Sequence, residues 1–395
     1  MGSLQEMLTI DEARARIIAA FAPLPSETVP LEKAHGRVLA EDVRARLDQP
    51  PAPVSAMDGY AVRAADNGER RVIGASPAGH PFAGSLGSGE AVRIFTGGVV
   101  PDGADTIVIQ EDAKVQGDRV TFTTTTQPGR SIRPQGRDFH KGDVLGRAGH
   151  RLAARDLALL AAGDIADLQV RRKPIVAFAA TGDELSRPGQ MHPPGGIVAS
   201  SGYGLSAMIE CWGGQPRDLG ILADTSEAVA SIPALAGDAD LILTIGGASV
   251  GDHDMIGRIP GLALDFWKVA MRPGKPLIFG KLGSTPLLGL PGNPVSTFVT
   301  ALLFVRPVIA AMLGAETAVP LRRARLTASL GANDSRQDYM RGHTVWSDGD
   351  CWVEPHPVQD SAMLKVLADS DVLIVRAPHA AAAEIGATVD VLPWE

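Results

Sequence analysis

Cysteine is nearly missing: Cys211 and Cys351 are the only two in 395 residues, and they form no CxxC pair. Two distant thiols build neither a disulfide framework nor a thiolate zinc site, which fits a reducing compartment. No run of about 18 apolar residues is evident, so no membrane span is read. The opening stretch MGSLQEMLTIDEARARI is too polar for a signal peptide. Positive charge is short as well. Lys and Arg number 37 against 45 Asp and Glu, a net charge of −8. That balance argues against nucleic acid or an acidic membrane as a general partner, while leaving room for a local basic pocket. Together these absences point to a cytoplasmic protein.

What is abundant is glycine (44) and proline (29), within a chain that is 45% hydrophobic. Disorder does not fit, and frequent turns suit mixed α/β plus β modules better than a helical bundle. The length exceeds one core and predicts two to four domains.

Residues 9–21, TIDEARARIIAAF, predict an amphipathic helix. Thr9 and Glu12 form a capping box, and Ile10, Ala13, Ile17 and Phe21 share a face. The proline-rich RLDQPPAPVSAMD at 46–58 reads as a crossing segment. From about 60 to 140, short alternating runs such as AVRIF, DTIVIQ and RVTFTTT read as a small β domain. A helix over 151–163 follows. Next come strands at 174–185, 218–222, 240–245, 264–270 and 276–281, with helices near 203–212 and 225–236. The block closes with LLGLPGNP and a long helix over 295–313. Strands alternating with helices predict a parallel doubly wound sheet. After Pro320 the pattern returns to short strands.

In such a sheet ligands bind at the carboxyl ends of strands. Thr181, Gly182, Asp183 and Glu184 fall at one such end, Asp224 at a second, and Pro291, Gly292 and Asn293 at another. Gly246, Gly247, Ser249, Asp252 and Asp254 follow the strand in LTIGGASVGDHD. Each alone has a structural reading as a turn or a helix cap. Together, clustered carboxylates suit a divalent cation, and glycine turns entering helices suit an anion. FWKVAMRPGKP adds Lys268, Arg272 and Lys275 within eight residues, cations that a polyanionic ligand requires.

GGASVGDHD, FWKVAMRPGKP and LPGNPVS resemble the MoeA family of molybdopterin molybdenumtransferases. So do SAMDGYAV, IFTGGVVPDGADTIVIQED, ATGDEL and YMRGH, over nearly the whole chain and in this order. Eukaryotic relatives are the E domains of gephyrin and of the plant molybdenum insertase. The resemblance implies a multidomain α/β plus β protein. A discontinuous, elongated helical dimerisation domain would take 1–52 and 141–172, and a β-rich insert 53–140. A doubly wound molybdopterin-binding α/β domain would take 173–319, and a β-barrel 320–395. It implies a homodimer whose site faces the insert of the partner subunit.

The implied reaction converts adenylylated molybdopterin and molybdate into molybdenum cofactor and AMP, with Mg²⁺. By the resemblance, Asp58 and Thr96 belong to the active site, and Glu184, Asp224 and Asp254 hold the cation. Lys268, Arg272 and Lys275 neutralise phosphate and attract molybdate. Arg133 and Arg341 are further cations, with Arg341 at the molybdate subsite beside Ser361. Thr181, Gly182, Ser201, Gly246, Gly247, Ser249, Pro291, Gly292 and Asn293 bind the rest of the substrate. Expected partners are a molybdopterin adenylyltransferase and recipient molybdoenzymes or their chaperones. Three positions depart from the family pattern: Ser201 for Asn, Arg272 for a frequent Lys, and Lys365-Val366 where a Ser-Ser pair is common. The alternatives are a sister adenylylating or nucleotide-hydrolysing activity, and a cofactor carrier or scaffold without turnover.

Overall fold

The computed structural model describes residues 7–247, 261–347 and 349–394. It divides into two units, Thr28–Val170 and the remainder of the chain on either side of it.

In the first unit six strands form one sheet: β1 (Gly59–Val62), β2 (Arg70–Ser76), β3 (Glu90–Ile94), β4 (Thr106–Ile109), β5 (Ala113–Gln116) and β6 (Arg119–Phe122). Their order is β4-β1-β3-β2-β6-β5. The short alternating runs of this region thus form one sheet. A second core, around Leu39, Leu152, Leu160 and Val170, packs beside the nine-residue helix α2 (Ala154–Ala162). Asp156 holds that helix's start by accepting from the Ala153 amide at 2.7 Å.

The second unit begins with α1 (Ile10–Ile18), and the predicted capping box is made. The Glu12 amide donates to Thr9 Oγ1 at 3.2 Å, and the Thr9 amide donates to Glu12 Oε2 at 2.9 Å. Ile10, Ala13 and Ile17 are the buried face.

A six-stranded sheet follows. It comprises β7 (Ile175–Thr181), β8 (Gln215–Leu222), β9 (Leu241–Ile245), β10 (Leu262–Lys268), β11 (Pro276–Leu282) and β12 (Thr285–Leu290). The order is β8-β7-β9-β12-β11-β10. Helices α3 (Ser201–Cys211), α4 (Ser226–Ala230) and α5 (Ile232–Ala236) lie between the early strands. All five residues of the central β9 are buried, which is why its sequence does not alternate.

The expected wholly parallel sheet is corrected in one respect. β8, β7, β9 and β12 run parallel, but β11 pairs antiparallel with both β12 and β10. Only Gly283 and Ser284 separate β11 from β12, too short a link for a parallel crossover.

The long helix over 295–313 appears as α6 (Pro294–Thr300), a π-helical stretch (Ala301–Val305) and α7 (Arg306–Met312). Its mean hydropathy, 1.9 over an 18-residue window, corrects the expectation that the chain has no such apolar run. The helix is 78% buried inside the fold, so its apolarity serves packing.

The carboxyl-terminal strands are β13 (Arg322–Leu326), β14 (Gln337–Ser347), β15 (Asp350–Pro355), β16 (Val372–Arg376) and β17 (Thr388–Pro393). They close into a barrel in the order β14-β15-β13-β17-β16, with β16 pairing back to β14. Ala324, Leu326, Val353, Ile374 and Val391 fill it.

Candidate functional site

The candidate residues fall into two groups, one in each unit. In the first unit Ser55 starts a tight turn, its hydroxyl donating to the Met57 carbonyl at 2.5 Å. The turn carries Asp58 to the start of β1. Asp58 Oδ1 accepts from the Thr96 amide at 2.7 Å and from Thr96 Oγ1 at 2.8 Å. The two residues that the resemblance placed in the site are thus direct partners. The Thr96 amide, then its hydroxyl, hold the Asp58 carboxyl below the usual range, with a smaller contribution from Arg93.

Arg93 was not anticipated. It donates to the Gly59 carbonyl at 2.9 Å and to Gln110 Oε1 at 2.7 Å, and lies over the rings of Tyr60 and Phe95. Its signal was an Arg inside the strand run AVRIF, but only the register pairing Tyr60 with Arg93 brings it to Asp58. Arg133 is exposed and pairs through its backbone with Val54, on the same turn.

In the second unit three carboxyl ends of adjacent parallel strands meet. Thr181 ends β7, Gly246 and Gly247 follow β9, and Pro291, Gly292 and Asn293 follow β12. Gly246 has φ +95°, and a Cβ there would meet the Thr181 carbonyl oxygen at 2.9 Å. A Cβ on Gly292 would meet Gly246 Cα at 3.3 Å. These loops approach so closely because neither carries a side chain. Thr181 Oγ1 is buried without a hydrogen-bond partner among the described residues. Ser201 is buried as the first residue of α3.

The acids divide. Glu184 and Asp224 are exposed on neighbouring loops. Those loops are joined where the Asp224 amide donates to Asp183 Oδ1 at 3.2 Å. The Glu184 carboxylate folds over Gly182, where a Cβ would meet its Oε2 at 2.6 Å. Asp252, Asp254 and Ser249 lie outside the described residues. Among those described, no three His, Cys, Asp or Glu side chains gather into a metal-binding group.

The cations have distinct settings. Lys268 lies with Nζ 3.6 Å from the centre of the Trp267 ring. Lys275 is exposed. Arg272 is not a free cation. It donates to Asp338 at 2.5 Å, Asn333 at 3.2 Å and Asp334 at 3.3 Å. Asp338 is the principal cause of its raised pKa. Asp334 is held down at about 2, first by Arg336.

A connected run joins the α/β domain to the barrel. Asn293 Nδ2 donates to Ser361 Oγ at 3.0 Å, and the Val295 amide donates to the Ser361 carbonyl at 3.0 Å. The next carbonyl, of Asp360, accepts from Arg341 at 3.1 Å. Arg341 is 1% exposed and its Nε has no partner among the described residues. Burial pulls its guanidinium down, and Asp338 and Asp360 partly compensate. Gln359, also unanticipated, clasps the Arg341 backbone at 2.8 and 2.9 Å. Asn293, Ser361 and Arg341, 68 residues apart at most, are therefore one structure. Lys365, a departure from the family pattern, is engaged by Asp369 one helical turn on.

Comparison with known proteins agrees along the chain. Residues 8–163 match the MoeA N-terminal region (domain I and II). Residues 177–311 match a probable molybdopterin binding domain, and 323–394 the MoeA C-terminal region (domain IV). The molybdopterin molybdenumtransferase of Haemophilus influenzae is 35% identical over 98% of this chain and 99% of its own. That of Bacillus subtilis is 32% identical over 98% and 94%. The crystal structure of the molybdopterin biosynthesis MoeA protein of Pyrococcus horikoshii superposes with a TM-score of 0.84 at 29% identity, covering 99% of this chain and all of that one.

Proposed function

The chain belongs to the MoeA family, and from that premise we propose how its residues carry out the family's reaction. The protein is a molybdopterin molybdenumtransferase acting in molybdenum cofactor biosynthesis. Our reading is that it takes adenylylated molybdopterin and molybdate and releases AMP, in the cytoplasm, as a homodimer. The domains are those delimited above: 1–52 with 141–172, 53–140, 173–319 and 320–395.

The observation that carries this reading is the convergence of bare backbone at Gly246 and Gly292 beside the Asn293–Ser361–Arg341 run. Backbone amides at strand ends hold phosphate without side-chain entropy cost. Thr181 Oγ1, buried without a partner among the described residues, supplies a hydroxyl to the same ligand. Lys268 and Lys275 neutralise its charge. Arg341 is a buried cation whose Nε has no partner among the described residues, suited to a tetrahedral dianion such as molybdate. Arg272 orders the barrel side through Asp338 rather than meeting substrate directly.

Glu184 and Asp224 offer hard oxygen ligands on joined loops, and the space left by Gly182 accommodates a carboxylate turned toward the rim. This donor set fits Mg²⁺, with Asp254 as the third acid. When bound there, Mg²⁺ would polarise the pyrophosphate-type linkage of the substrate. Asp58, kept ionised by Thr96, completes the site in the homodimer.

The test supplies purified protein with molybdate and with either adenylylated or unmodified molybdopterin, with and without Mg²⁺. Cofactor is read by reconstitution of a cofactor-free molybdoenzyme. Formation from the adenylylated form, dependent on Mg²⁺, is expected. Equal formation from unmodified molybdopterin without Mg²⁺ would overturn the AMP and Mg²⁺ parts of the reading.

A further inference from the structure

The barrel has an open mouth remote from this site. Side chains alternate along each strand, so every second residue faces inward. On β13 the buried inward residues are Ala324 and Leu326, and Arg322 shares their parity. On β14 Met340 packs against the core, and Thr344 and Trp346 share its parity. Cys351 on β15 follows the parity of Val353. The inward-facing rows thus run past the filled core and line a cavity of about 530 Å³, floored by Val372 and Val391. Barrel mouths are recurrent ligand sites, and occupied pockets typically span about 300–1,000 Å³. Asp338, which binds Arg272, is the second residue of β14 and Trp346 the last but one. The mouth is therefore roughly 25 Å along the strand from that pair.

Three groups in the mouth are unspent. Trp346 is 74% exposed although it stands on the inward row. Trp394 Nε1 is buried with no acceptor among the described residues. Arg322 makes no ion pair among them, whereas Arg323, which also lines the cavity, lies 3.8 Å from Asp390. The one acid in the lining, Asp371, is already occupied. It accepts from the Thr344 amide at 2.8 Å and from the Thr344 hydroxyl, and lies 3.8 Å from His343 Nδ1. An exposed indole face, an unsatisfied N–H donor and a guanidinium call for a flat ring with an acceptor and an anionic group.

We propose that the barrel mouth is a second ligand site for a planar heteroaromatic ring carrying a phosphate monoester. The ring lies on Trp346, a ring acceptor meets Trp394 Nε1, and the phosphate meets Arg322. The choice of phosphate over carboxylate rests on the reading above, whose substrate and nucleotide product both carry heteroaromatic phosphates. Purine and pterin rings satisfy the same chemistry.

The test uses the full chain labelled with 5-fluorotryptophan. The Trp346 ¹⁹F resonance is identified by its loss in Trp346→Phe. AMP and a pterin phosphate monoester are titrated separately, which tells the two ring sources apart. Saturable movement of the Trp346 resonance with either is expected, weakened about tenfold or more by Arg322→Ala. Trp267, beside Lys268, reports the proposed substrate rim independently. Movement of Trp346 without Trp267 would support the second site and count against the rim. A Trp346 resonance unmoved by both ligands at millimolar concentration, whatever Trp267 does, would overturn the proposal.

Discussion

Asp58 holds its charge below the ordinary carboxylate range because two donors from one residue converge on a single oxygen. Its depressed pKa means the ionised form persists as pH falls below the ordinary carboxylate range, and is lost only on falling through the folded value. Thr96→Val removes the hydroxyl donor and leaves the amide. The acid limb of the insertion rate should then move to higher pH, with little change at neutral pH. Asp58→Asn removes the charge at every pH and should lower kcat by about 100-fold or more. Pre-steady-state rates between pH 4 and 8 check both, and an unmoved acid limb in Thr96→Val would detach Thr96 from that role. Arg272 makes a different prediction. Arg272→Lys keeps the charge but loses the fork shared by Asp338, Asp334 and Asn333. A loss of about 1–2 kcal/mol is expected by urea unfolding, at the lower end because the Arg272 side chain is 44% exposed. The Asp334 contribution is present above the unfolded carboxylate range and fades as pH falls toward about 2. That contribution comes first from Arg336, which the variant keeps, so the variant's deficit is measured at neutral pH.

At the scale of elements, glycine sets how near the strand-end loops come. Gly246→Ala would press a Cβ against the Thr181 carbonyl and hold an L-residue at φ +95°. A destabilisation of about 1–3 kcal/mol is expected, with a larger proportional loss of insertion than of folded protein. Thermal unfolding compared with activity per folded molecule separates the two, and a full-rate variant would show that this approach is dispensable. Much of this element was legible. The apolar run ending in Gly-Gly fixed a buried strand and a turn, and the capping box fixed the start of α1. The reversed β11 was not legible, because its strand run matches those of its parallel neighbours and only the two-residue Gly283-Ser284 link distinguishes it. Sequence places Arg272 among the ligand cations, and its contact with Asp338, 66 residues away, is one that local spacing does not reveal. Ser361 beside Arg341, and Thr96 with Asp58, came from the family pattern, since no local spacing connects residues brought together by sheet register and barrel closure; the Asn293–Ser361 contact was not anticipated. Arg93, Gln359 and the barrel mouth were missed for the same reason.

For the whole molecule, the candidate residues lie in separate units, and in the proposed homodimer those of one protomer would complement those of its partner. Asp58→Asn and Lys268→Ala chains should each be inactive alone. After subunit exchange, insertion should return to about a quarter of the wild-type rate, because half the dimers are mixed and one of their two sites is intact. No recovery in a verified mixed dimer would contradict a site shared between protomers. Full-length agreement with relatives from several bacteria already places the chain as a molybdenumtransferase. What most directly tests the chemistry is a single turnover with adenylylated molybdopterin, Mg²⁺ and molybdate, following AMP and molybdenum cofactor together. AMP should appear only with molybdate, in equal amount to the cofactor and at the same rate. AMP released without molybdate, or cofactor formed without AMP, would contradict a coupled insertion.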